Sequence, residues 1–467
     1  MFWPAQNRGN RGLVNIKSFN FVLHIKPCGF LHITSYMRID DAEIRTDLAT
    51  LCETIGERLA GSEREHQAAK YVAARMRQAG LQEVRLERFP CTNPHRRSAD
   101  VQEPVATGKG WREVEALPMV GSASTPRKQS VEGDLVWLTL PEAQRRLKPG
   151  SLRGKILAIF GPMPTSGSAH RQLLAASPAA VVHIDERFPF DYVKADGAYP
   201  YWVSHYGMPP IVSVAYMDAW RWRQTEVKRL RVRIDVGYRR AQSCNAIGEL
   251  PGTDPSLPAI ILTSHLDTQP GNVGADDNAS GVASVLALTR AFGATRPRRT
   301  LRFIAFGAEE QLSVGAVNHV RYGGITPANT GLILNFDSTA SVLGHYVLWT
   351  AGDARLAHHA QRTFARHGVD TQVRHEITPF ADCFAFNRAG IPSLWCRRMN
   401  FSGGRWQHHS RHDTLENVSI PDLVRLLPAA AALVGDLANR HRWPFRTTLT
   451  PAQHQLARGI SRALLGW

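Results

Sequence analysis

The amino-acid sequence predicts a mixed α/β protein in which helices sandwich a mainly parallel sheet and a β-rich insert interrupts the chain. Two observations carry this prediction. After Cys244, short apolar runs of strand length alternate with stretches of helical periodicity, a pattern typical of parallel sheets covered on both faces. Between residues 93 and 240, proline, glycine and short β-type runs recur around turn signals such as Lys148-Pro149-Gly150.

Length and composition describe a folded protein with more than one domain. The chain has 467 residues, and its hydrophobic fraction of 43% is enough to bury a core. No apolar run approaches the ~20 residues of a membrane-spanning helix, so we expect no membrane partner. The six cysteines form no CxxC pair, which argues against a disulfide scaffold or a thiolate zinc site.

Residues 1–36 differ from the rest of the chain. They contain Arg8, Arg11, Lys17 and Lys26 but no acidic residue, so they supply four of the net +16 charges. Their apolar stretch is interrupted by basic residues and ends without a small-residue cleavage site, which does not indicate a signal peptide. We interpret them as a disordered extension from a start codon assigned too early. We predict a cytoplasmic location, with export as the alternative.

The remaining elements are expected in a regular order. Two helices at 41–59 and 63–79, the second capped by Ser62, precede a strand at 83–89. Within the insert we expect a helix at 170–176 and strands at 133–140, 155–160, 180–184 and 211–215. After the insert we expect strands at 259–264, 301–306, 331–336, 346–350 and 391–396, and helices at 278–292, 311–322, 354–367 and 420–439. One discontinuous domain would therefore comprise 37–92 and 241–467, and the insert 93–240.

Histidine and carboxylate side chains follow several of the predicted strands. They are His265, Asp267, Asp276, Asp277, Glu309, Glu310, Asp337 and His409. Each residue alone is more often a helix cap, a solvated acid or a structural histidine. If two histidines and three carboxylates converge, a cation is needed, because buried like charges repel. Imidazole and carboxylate favour zinc. Five ligands fit two ions that share one carboxylate and can together generate a hydroxide near neutral pH.

The motifs SHLDT, GADDNASG, FGAEE, NFDS and a later H-x-x-x-D-T occur in this order. Together they resemble the motifs of the two-zinc aminopeptidases of the bacterial leucyl aminopeptidase type, to which glutamate carboxypeptidase and carboxypeptidase Q are distantly related. The resemblance spans residues 244–418 and, more loosely, the helices within 41–80. It implies the zinc-aminopeptidase fold, peptide substrates and two Zn²⁺ ions per chain, with Co²⁺ or Mn²⁺ as possible substitutes.

The resemblance also implies a role for each motif residue. The five ligands would be Asp276 as the bridge between both ions, His265 and Asp337 at one ion, and Glu310 and His409 at the other. Glu309 would be the general base. It would take a proton from the metal-bound water, which becomes the metal-bridging hydroxide, and pass that proton to the leaving amine. Asp267 would orient the imidazole of His265. The family often has a cis peptide bond between the bridging aspartate and the next residue, here Asp277.

A second pattern, D-x-x-x-F-x-x-A-G-I-P, is matched by Asp382, Phe386 and residues 389–392. By its resemblance to the family it implies a substrate-facing loop. The chain departs from the family at Ala381, where a small hydroxyl residue is usual, and at Cys383, where histidine is usual. Cys383 fits a plain buried thiol equally well.

The position before the last ligand also departs from the family. Many relatives have tyrosine there, where it helps to hold the oxyanion, whereas this chain has His408. Either His408 replaces that donor or another residue has taken the role, and we therefore count it as a candidate substrate contact. His412 competes with His409 as the ligand, but the spacing to Asp413 favours His409.

The insert resembles the protease-associated domain found at this position in many relatives. The segments that carry this resemblance are LRGKILAIF, AAVVHI and PPIVSVAYMDA. The resemblance implies a domain that covers the active-site cleft and restricts substrate size. A stabilising surface insert without a role in catalysis is the alternative interpretation.

The function that these patterns favour is metal-dependent hydrolysis of peptide bonds, with release of N-terminal residues. Carboxypeptidase or dipeptidase action on the same centre is the nearest alternative. A one-zinc acyltransferase resembling glutaminyl cyclase and a non-catalytic binding module are further ones, and the complete ligand set argues against both. Despite the net charge of +16, no helix-turn-helix, zinc-finger or aromatic RNA-binding signature accompanies the scattered arginines, so we expect no nucleic-acid partner.

Overall fold

The computed structural model describes residues 39–105, 109–139, 147–161, 166–185, 189–400 and 406–467. The predicted extension at 1–36 lies outside these residues, so its disorder stays a prediction. The chain from Met37 to Trp467 forms one compact unit.

Helices and strands alternate along most of the described chain. The helices are α1 (Asp41–Ala49), α2 (Glu63–Gln78), α3 (Gly167–Ala176), α4 (Pro200–Tyr206), α5 (Tyr216–Gln224), α6 (Gly281–Phe292), α7 (Val314–Tyr322), α8 (Ala354–Arg366), α9 (Cys383–Arg388), α10 (Ile420–Asn439) and α11 (Pro451–Leu465). The strands are β1 (Gln82–Pro104), β2 (Trp111–Val114), β3 (Ala116–Pro118), β4 (Val131–Thr139), β5 (Ile156–Phe160), β6 (Ala180–Ile184), β7 (Ile211–Val214), β8 (Arg229–Leu250), β9 (Ala259–His265), β10 (Leu301–Phe306), β11 (Thr330–Phe336), β12 (Gly344–Ala351), β13 (Thr371–His375) and β14 (Ser393–Asn400).

The strands form a mixed sheet whose middle is parallel. The hydrogen-bonded order is β13-β12-β14-β11-β9-β10-β8-β4-β5-β6-β7-β3, and β1 pairs with β8. β9 lies parallel to β10 and β11, and β11 lies parallel to β14, whereas β12 runs antiparallel to β14 and β8 runs antiparallel to β10. The carboxyl ends of four parallel strands therefore meet at one edge, where α/β proteins gather functional residues.

The first helices begin and pack as their sequences indicate. The Ser62 hydroxyl accepts a hydrogen bond from the Glu65 amide at 3.1 Å and so caps α2. The buried face of α2, with Ala68, Val72 and Met76, joins the main core beneath the sheet. The α-helix predicted to run to residue 59 ends at Ala49, and the chain then forms a π-helical turn over Thr50–Ile55.

The insert has its own core, and continuous strands join it to the rest. Its strands β4, β5, β6 and β7 are parallel; α3 connects β5 to β6, α4 connects β6 to β7, and α5 leads from β7 to β8. β1 and β8 run through both parts as one antiparallel ribbon, with Thr92 opposite Arg240 and Asn93 opposite Arg239. The strand predicted at 83–89 thus extends to Pro104. Pro90 and Pro94, which argue against a strand in the sequence, are tolerated on this outer strand.

Two elements beside the centre start later than predicted, and several others were not predicted, among them β13 and α11. The helix expected from residue 278 begins at Gly281, after an irregular turn over Ala275–Ser280 in which Asp277 and Asn278 have non-helical backbone angles. The helix expected from residue 311 begins at Val314. The outer strand β13 alternates weakly and α11 has little apolar character, so neither stood out in the sequence.

In the described part of the chain, no helix combines the length and apolar character needed to cross a bilayer. The predicted cytoplasmic location stays a prediction.

Candidate metal centre

The carboxyl ends of the central strands bring most of the predicted site residues together. His265 is the last residue of β9, Asp337 directly follows β11, and Glu309 and Glu310 follow β10 after a two-residue turn. These strands are buried, and their parallel pairing places their ends at the same edge of the sheet.

One group of candidate ligands comprises His265, Asp277 and Asp337. His265 Nε2 lies 3.1 Å from Asp277 Oδ1 and 3.8 Å from Asp337 Oδ1. One possible ligand atom from each of the three residues lies within 4.8 Å of the others, and all three side chains are buried. The arrangement matches what one divalent ion requires of its protein ligands.

A second group lies on the other side of Asp277. Asp277 Oδ2 lies 3.1 Å from His408 Nε2 and 3.4 Å from His409 Nε2. Glu310 Oε2 lies 3.2 Å from His409 Nε2, and the rings of His408 and His409 stack with centroids 3.5 Å apart. The two oxygens of Asp277 therefore face different groups, as a carboxylate shared by two ions would.

The predicted bridging role of Asp276 is wrong by one residue. Asp276 Oδ1 accepts a hydrogen bond from the Ala340 amide at 2.9 Å, and its Oδ2 lies 3.4 Å from the Gln407 side-chain amide. The turn over Ala275–Ser280 has non-helical backbone angles at Asp277 and Asn278. The Asp276 side chain therefore fastens the loop after β11, while the Asp277 side chain faces both groups. The cis peptide bond lies one residue later than expected, between Asp277 and Asn278.

Asp267 supports the centre in a broader way than predicted. Its carboxylate lies 3.6 Å from His265 Nδ1, whereas the nearer partner of that nitrogen is the Asp267 carbonyl oxygen at 3.2 Å. The carboxylate oxygens accept hydrogen bonds from the amides of Glu309 at 2.8 Å and Glu310 at 3.1 Å. Asp267 thus holds the turn that carries the predicted base and one candidate ligand.

Glu309 lies beside the first group and belongs to neither group of candidate ligands. Its Oε2 lies 4.0 Å from His265 Nε2, and its Oε1 accepts a hydrogen bond from the Ser313 hydroxyl at 3.1 Å. Burial raises the pKa of Glu309 well above its usual range; His265 opposes this shift, while the nearby Asp382 carboxylate adds to it. A carboxylate in this environment is suited to accept and release a proton.

The predicted substrate residues lie deeper than expected. Phe386 is fully buried beside Phe306 and His319, with ring centroids 6.1 and 6.3 Å away, so it belongs to the core and not to a substrate surface. Asp382 is also fully buried, and burial raises its pKa well above the usual range of an aspartate. The pattern D-x-x-x-F-x-x-A-G-I-P therefore marks packing beneath the centre. Cys383 is buried in the same core, and burial raises its pKa to about 12.

Two residues that the sequence analysis did not assign hold the turns that carry the ligands. The Asp413 carboxylate accepts hydrogen bonds from the amides of Asp276 at 2.6 Å and Asp277 at 3.0 Å. The Gln269 side-chain amide donates to Glu310 Oε2 at 3.0 Å. Asp413 belongs to the H-x-x-x-D-T motif, which therefore could have identified it, whereas nothing in the sequence marks Gln269.

The insert touches the loop that carries His408 and His409. The amide of Ala195 donates a hydrogen bond to the carbonyl oxygen of His409 at 2.7 Å. The Tyr192 hydroxyl donates to the carbonyl oxygen of Trp406 at 2.7 Å, and its ring meets that of His412 edge-on at 4.5 Å. His412 is thereby engaged by the insert and lies in neither ligand group, in agreement with the choice of His409.

The electrostatics of the centre fit a bound cation. Burial lowers the pKa of His265, but contacts with Asp267, Asp277 and Asp337 outweigh burial and raise this pKa well above its usual range. In the same way Glu310 and Asp277 raise the pKa of His409 to about 10 against the effect of burial. Oε1 of Glu310 is buried without a hydrogen bond among the described residues. Such an excess of buried carboxylate charge is what a divalent ion neutralises, so the residues fit a metal.

Comparison with known proteins identifies relatives of this fold. Residues 245–434 match the model of peptidase family M28. Over 408 residues, 83% of this chain and 84% of the other, the chain is 25% identical to carboxypeptidase Q of Xenopus laevis. The structure resembles the zinc aminopeptidase BSAP of Bacillus subtilis with a TM-score of 0.68 and 21% identity, covering 89% of this chain and 99% of that one. It resembles a peptidase M28 precursor of Shewanella amazonensis with a TM-score of 0.72 and 19% identity, covering 88% and 96%.

These similarities support different conclusions. The likeness to the two solved structures shows a shared fold. The family match covers every candidate ligand from His265 to His409. The whole chain up to residue 244, including the insert, lies outside it.

Proposed function

We propose that the chain, as a zinc-dependent metallopeptidase of peptidase family M28, is an exopeptidase with a two-zinc centre. It would release N-terminal residues from peptides. One observation carries the proposal. Asp277 Oδ1 lies 3.1 Å from Nε2 of His265 in the first group, and Asp277 Oδ2 lies 3.4 Å from Nε2 of His409 in the second. A shared carboxylate between two imidazole-containing groups is what a pair of ions needs.

The ligands of the two ions follow from the two groups. His265 and Asp337 would hold one ion and Glu310 and His409 the other, with Asp277 shared between them. His408 lies beside the second ion in this arrangement, where its ring is available either as a ligand or as a hydrogen-bond donor to the oxyanion.

The chain's own residues would carry the proton. Zinc supplies Lewis acidity that polarises the scissile carbonyl and makes water acidic enough to attack near neutral pH. Glu309 accepts the proton of the attacking water and delivers it to the nitrogen of the leaving amine. Its position is held by the Ser313 hydroxyl and by the bond of its own amide to Asp267.

The insert would restrict the length of the substrate. This proposal is supported by its contacts beside the second group, where Ala195 bonds to His409 and a Cβ added to Gly197 would lie 3.8 Å from the Glu310 carbonyl oxygen. We expect kcat/KM to fall as peptides lengthen beyond the space between the insert and the sheet edge. Equal kcat/KM for a dipeptide and a decapeptide would favour the purely stabilising insert.

The direct test compares peptides with blocked and free ends. Purified protein should contain two zinc ions, release the first residue from aminoacyl-nitroanilides and from C-terminally amidated peptides, and lose this activity to a chelator. N-acetylated peptides with a free carboxylate are the matched control. Cleavage of the N-acetylated peptides alone would favour the second candidate, a carboxypeptidase, which the similarity to carboxypeptidase Q supports. One zinc with pyroglutamate formation from glutaminyl peptides would contradict both.

A further inference from the structure

Arg58 is a fully buried arginine outside the segment that matches the family model. It lies between the π-helical turn Thr50–Ile55 and α2. Its guanidinium donates five hydrogen bonds, all to backbone carbonyl oxygens: Leu266 at 2.7 Å, Val273 at 2.7 Å, Gly274 at 3.1 Å, Leu51 at 3.1 Å and Gly56 at 2.9 Å. Such a residue is costly to bury, because an ion loses its hydration, so its placement needs an explanation.

Three of the five acceptors of Arg58 belong to the two segments that carry His265 and Asp277 of the first group. Leu266 directly follows His265, while Val273 and Gly274 directly precede the turn that carries Asp277. The main chain of Arg58 adds a reciprocal pair of bonds to Thr268, from its amide to the threonine hydroxyl at 3.1 Å and to its carbonyl from the threonine amide at 3.2 Å. One residue therefore ties both segments to each other and to the N-terminal part of the chain.

The spacing that Arg58 spans is tight. Gly274 has a φ of +56°, and a Cβ added there would lie 2.3 Å from the Asp277 carbonyl oxygen and 2.5 Å from Thr268 Cγ2. The segment after β9 and the turn of Asp277 thus approach so closely that small shifts of either would change the distance between His265 and Asp277.

Only arginine offers this set of bonds. Its planar fork presents five N–H donors in fixed directions, whereas lysine offers three donors on one nitrogen. The carboxylates of Asp267, Asp277 and Asp413 lie near enough to favour the charged guanidinium, although burial lowers its pKa. The charge that the ligand loops carry and the charge of Arg58 therefore stabilise each other.

We propose that Arg58 is a positioning residue of the metal centre, which sets the distance between the segment of His265 and the turn of Asp277. This inference rests on the proposed zinc function. It assigns to the N-terminal segment a part in the catalytic centre that the family match does not cover. A purely structural arginine would instead affect the stability of the fold and leave the bound metal unchanged.

The test uses Arg58→Lys in the full chain, with Arg64→Lys as the matched control. Arg64 belongs to the same segment but is exposed. Zinc affinity is measured by competition with a chromophoric chelator, the ligand geometry by the visible absorption of the cobalt-loaded protein, and folding by the melting temperature. We expect zinc affinity to fall about 10- to 100-fold in Arg58→Lys, with a shifted cobalt spectrum, and to stay unchanged in Arg64→Lys.

Each other outcome is decisive. Arg58→Lys with the zinc affinity and cobalt spectrum of the wild type would overturn the inference, whether or not its melting temperature falls. If Arg58→Lys does not fold, Thr268→Val is measured instead, because it removes one hydrogen bond between Arg58 and the same loop. A loss of zinc affinity smaller than that expected for Arg58→Lys would support the inference, and an unchanged zinc affinity would overturn it. A wild-type protein that binds no zinc would overturn the proposed function itself, which distinguishes the two failures.

Discussion

The two groups of candidate ligands are held by different parts of the molecule. His265 and Asp337 lie at the ends of buried parallel strands, and their side chains are 1% and 7% exposed. His408 and His409 lie on a loop, and their side chains are 13% and 14% exposed. Glu310, the remaining member of the second group, again follows a strand. Apart from the shared Asp277, one side of the centre is therefore built by strand ends, and the other is completed by a loop.

The loop depends on contacts from the insert. His409 has a φ of +57°, in the left-handed region that only glycine adopts without cost, and such a backbone persists only where its surroundings hold it. Those surroundings include the Ala195 amide on the His409 carbonyl and the Tyr192 hydroxyl on the Trp406 carbonyl. The difference teaches where to look for weakness: we expect the second group to lose its geometry when these contacts with the insert are removed, and the first group to keep it.

The shared residue should show the largest effect, because its loss breaks both groups at once. Asp277→Ala is expected to abolish zinc binding and peptidase activity, since each group loses a carboxylate oxygen next to a histidine. Asp276→Asn is the matched control, and it should keep two zinc ions because an amide oxygen can still accept the Ala340 amide. Metal analysis and peptide hydrolysis measure both. Zinc loss in Asp276→Asn with retention in Asp277→Ala would reinstate Asp276 as the bridge.

Replacing Glu309 should stop the reaction and leave both groups of candidate ligands intact. We expect Glu309→Gln to lower kcat by about 10²- to 10⁴-fold, because glutamine cannot carry the proton, while two zinc ions remain bound. Glu63→Gln, at a glutamate whose side chain is 69% exposed, is the control and should behave as the wild type. Steady-state kinetics and metal analysis on the same samples decide the result. A Glu309→Gln enzyme with wild-type kcat would remove Glu309 from the mechanism.

Single-histidine variants should separate the two groups. His265→Ala and His409→Ala are each expected to reduce the zinc content from two ions to one, since either group loses its imidazole. His408→Ala should retain both ions if His408 is a hydrogen-bond donor, and lower kcat only. Metal content measured after dialysis would distinguish these cases. Full zinc content in His409→Ala together with loss in His408→Ala would exchange the roles of the two histidines.

The smallest effect should come from the contact between the insert and the loop. Tyr192→Phe removes one hydrogen bond, worth about 0.5–1.5 kcal/mol, and should weaken only the second zinc by several-fold. Tyr216→Phe, a change of the same kind elsewhere in the insert, should have no effect. Stepwise zinc titration resolves the two affinities. Equal weakening of both ions would show that the insert acts on the centre as a whole.

Much of the site was predictable from the sequence because the motifs lie directly after buried apolar strands. His265, Glu309, Glu310 and Asp337 meet as expected, since the ends of parallel strands share one edge. What failed depends on local geometry that a motif does not encode. GADDNASG contains two adjacent aspartates, and only the turn over Ala275–Ser280 decides which of them faces the centre.

Other features required knowledge of distant contacts. The motif that contains Phe386 predicts a loop, yet Phe386 packs against Phe306 in the core. Arg58 gives no signal in the sequence, because an arginine next to charged residues usually lies in solvent, and only the assembled carbonyl oxygens show why it is buried. The long strands β1 and β8 were hidden by prolines and charged residues that an outer ribbon tolerates.

The pairing of these two strands at Thr92 and Arg240 means that the chain leaves the peptidase domain and returns to it at the same place. Opposed residues of an antiparallel pair lie only about 5 Å apart. A tight two-residue turn could therefore close the ribbon at this point, and the whole of residues 93–240 behaves as an elongated hairpin tip. Excision of residues 93–240 would therefore leave the strands of the peptidase sheet continuous, but the loop of His408 and His409 would lose its contacts with Ala195 and Tyr192. In evolutionary terms a domain could be gained there without any rearrangement of the strands around it.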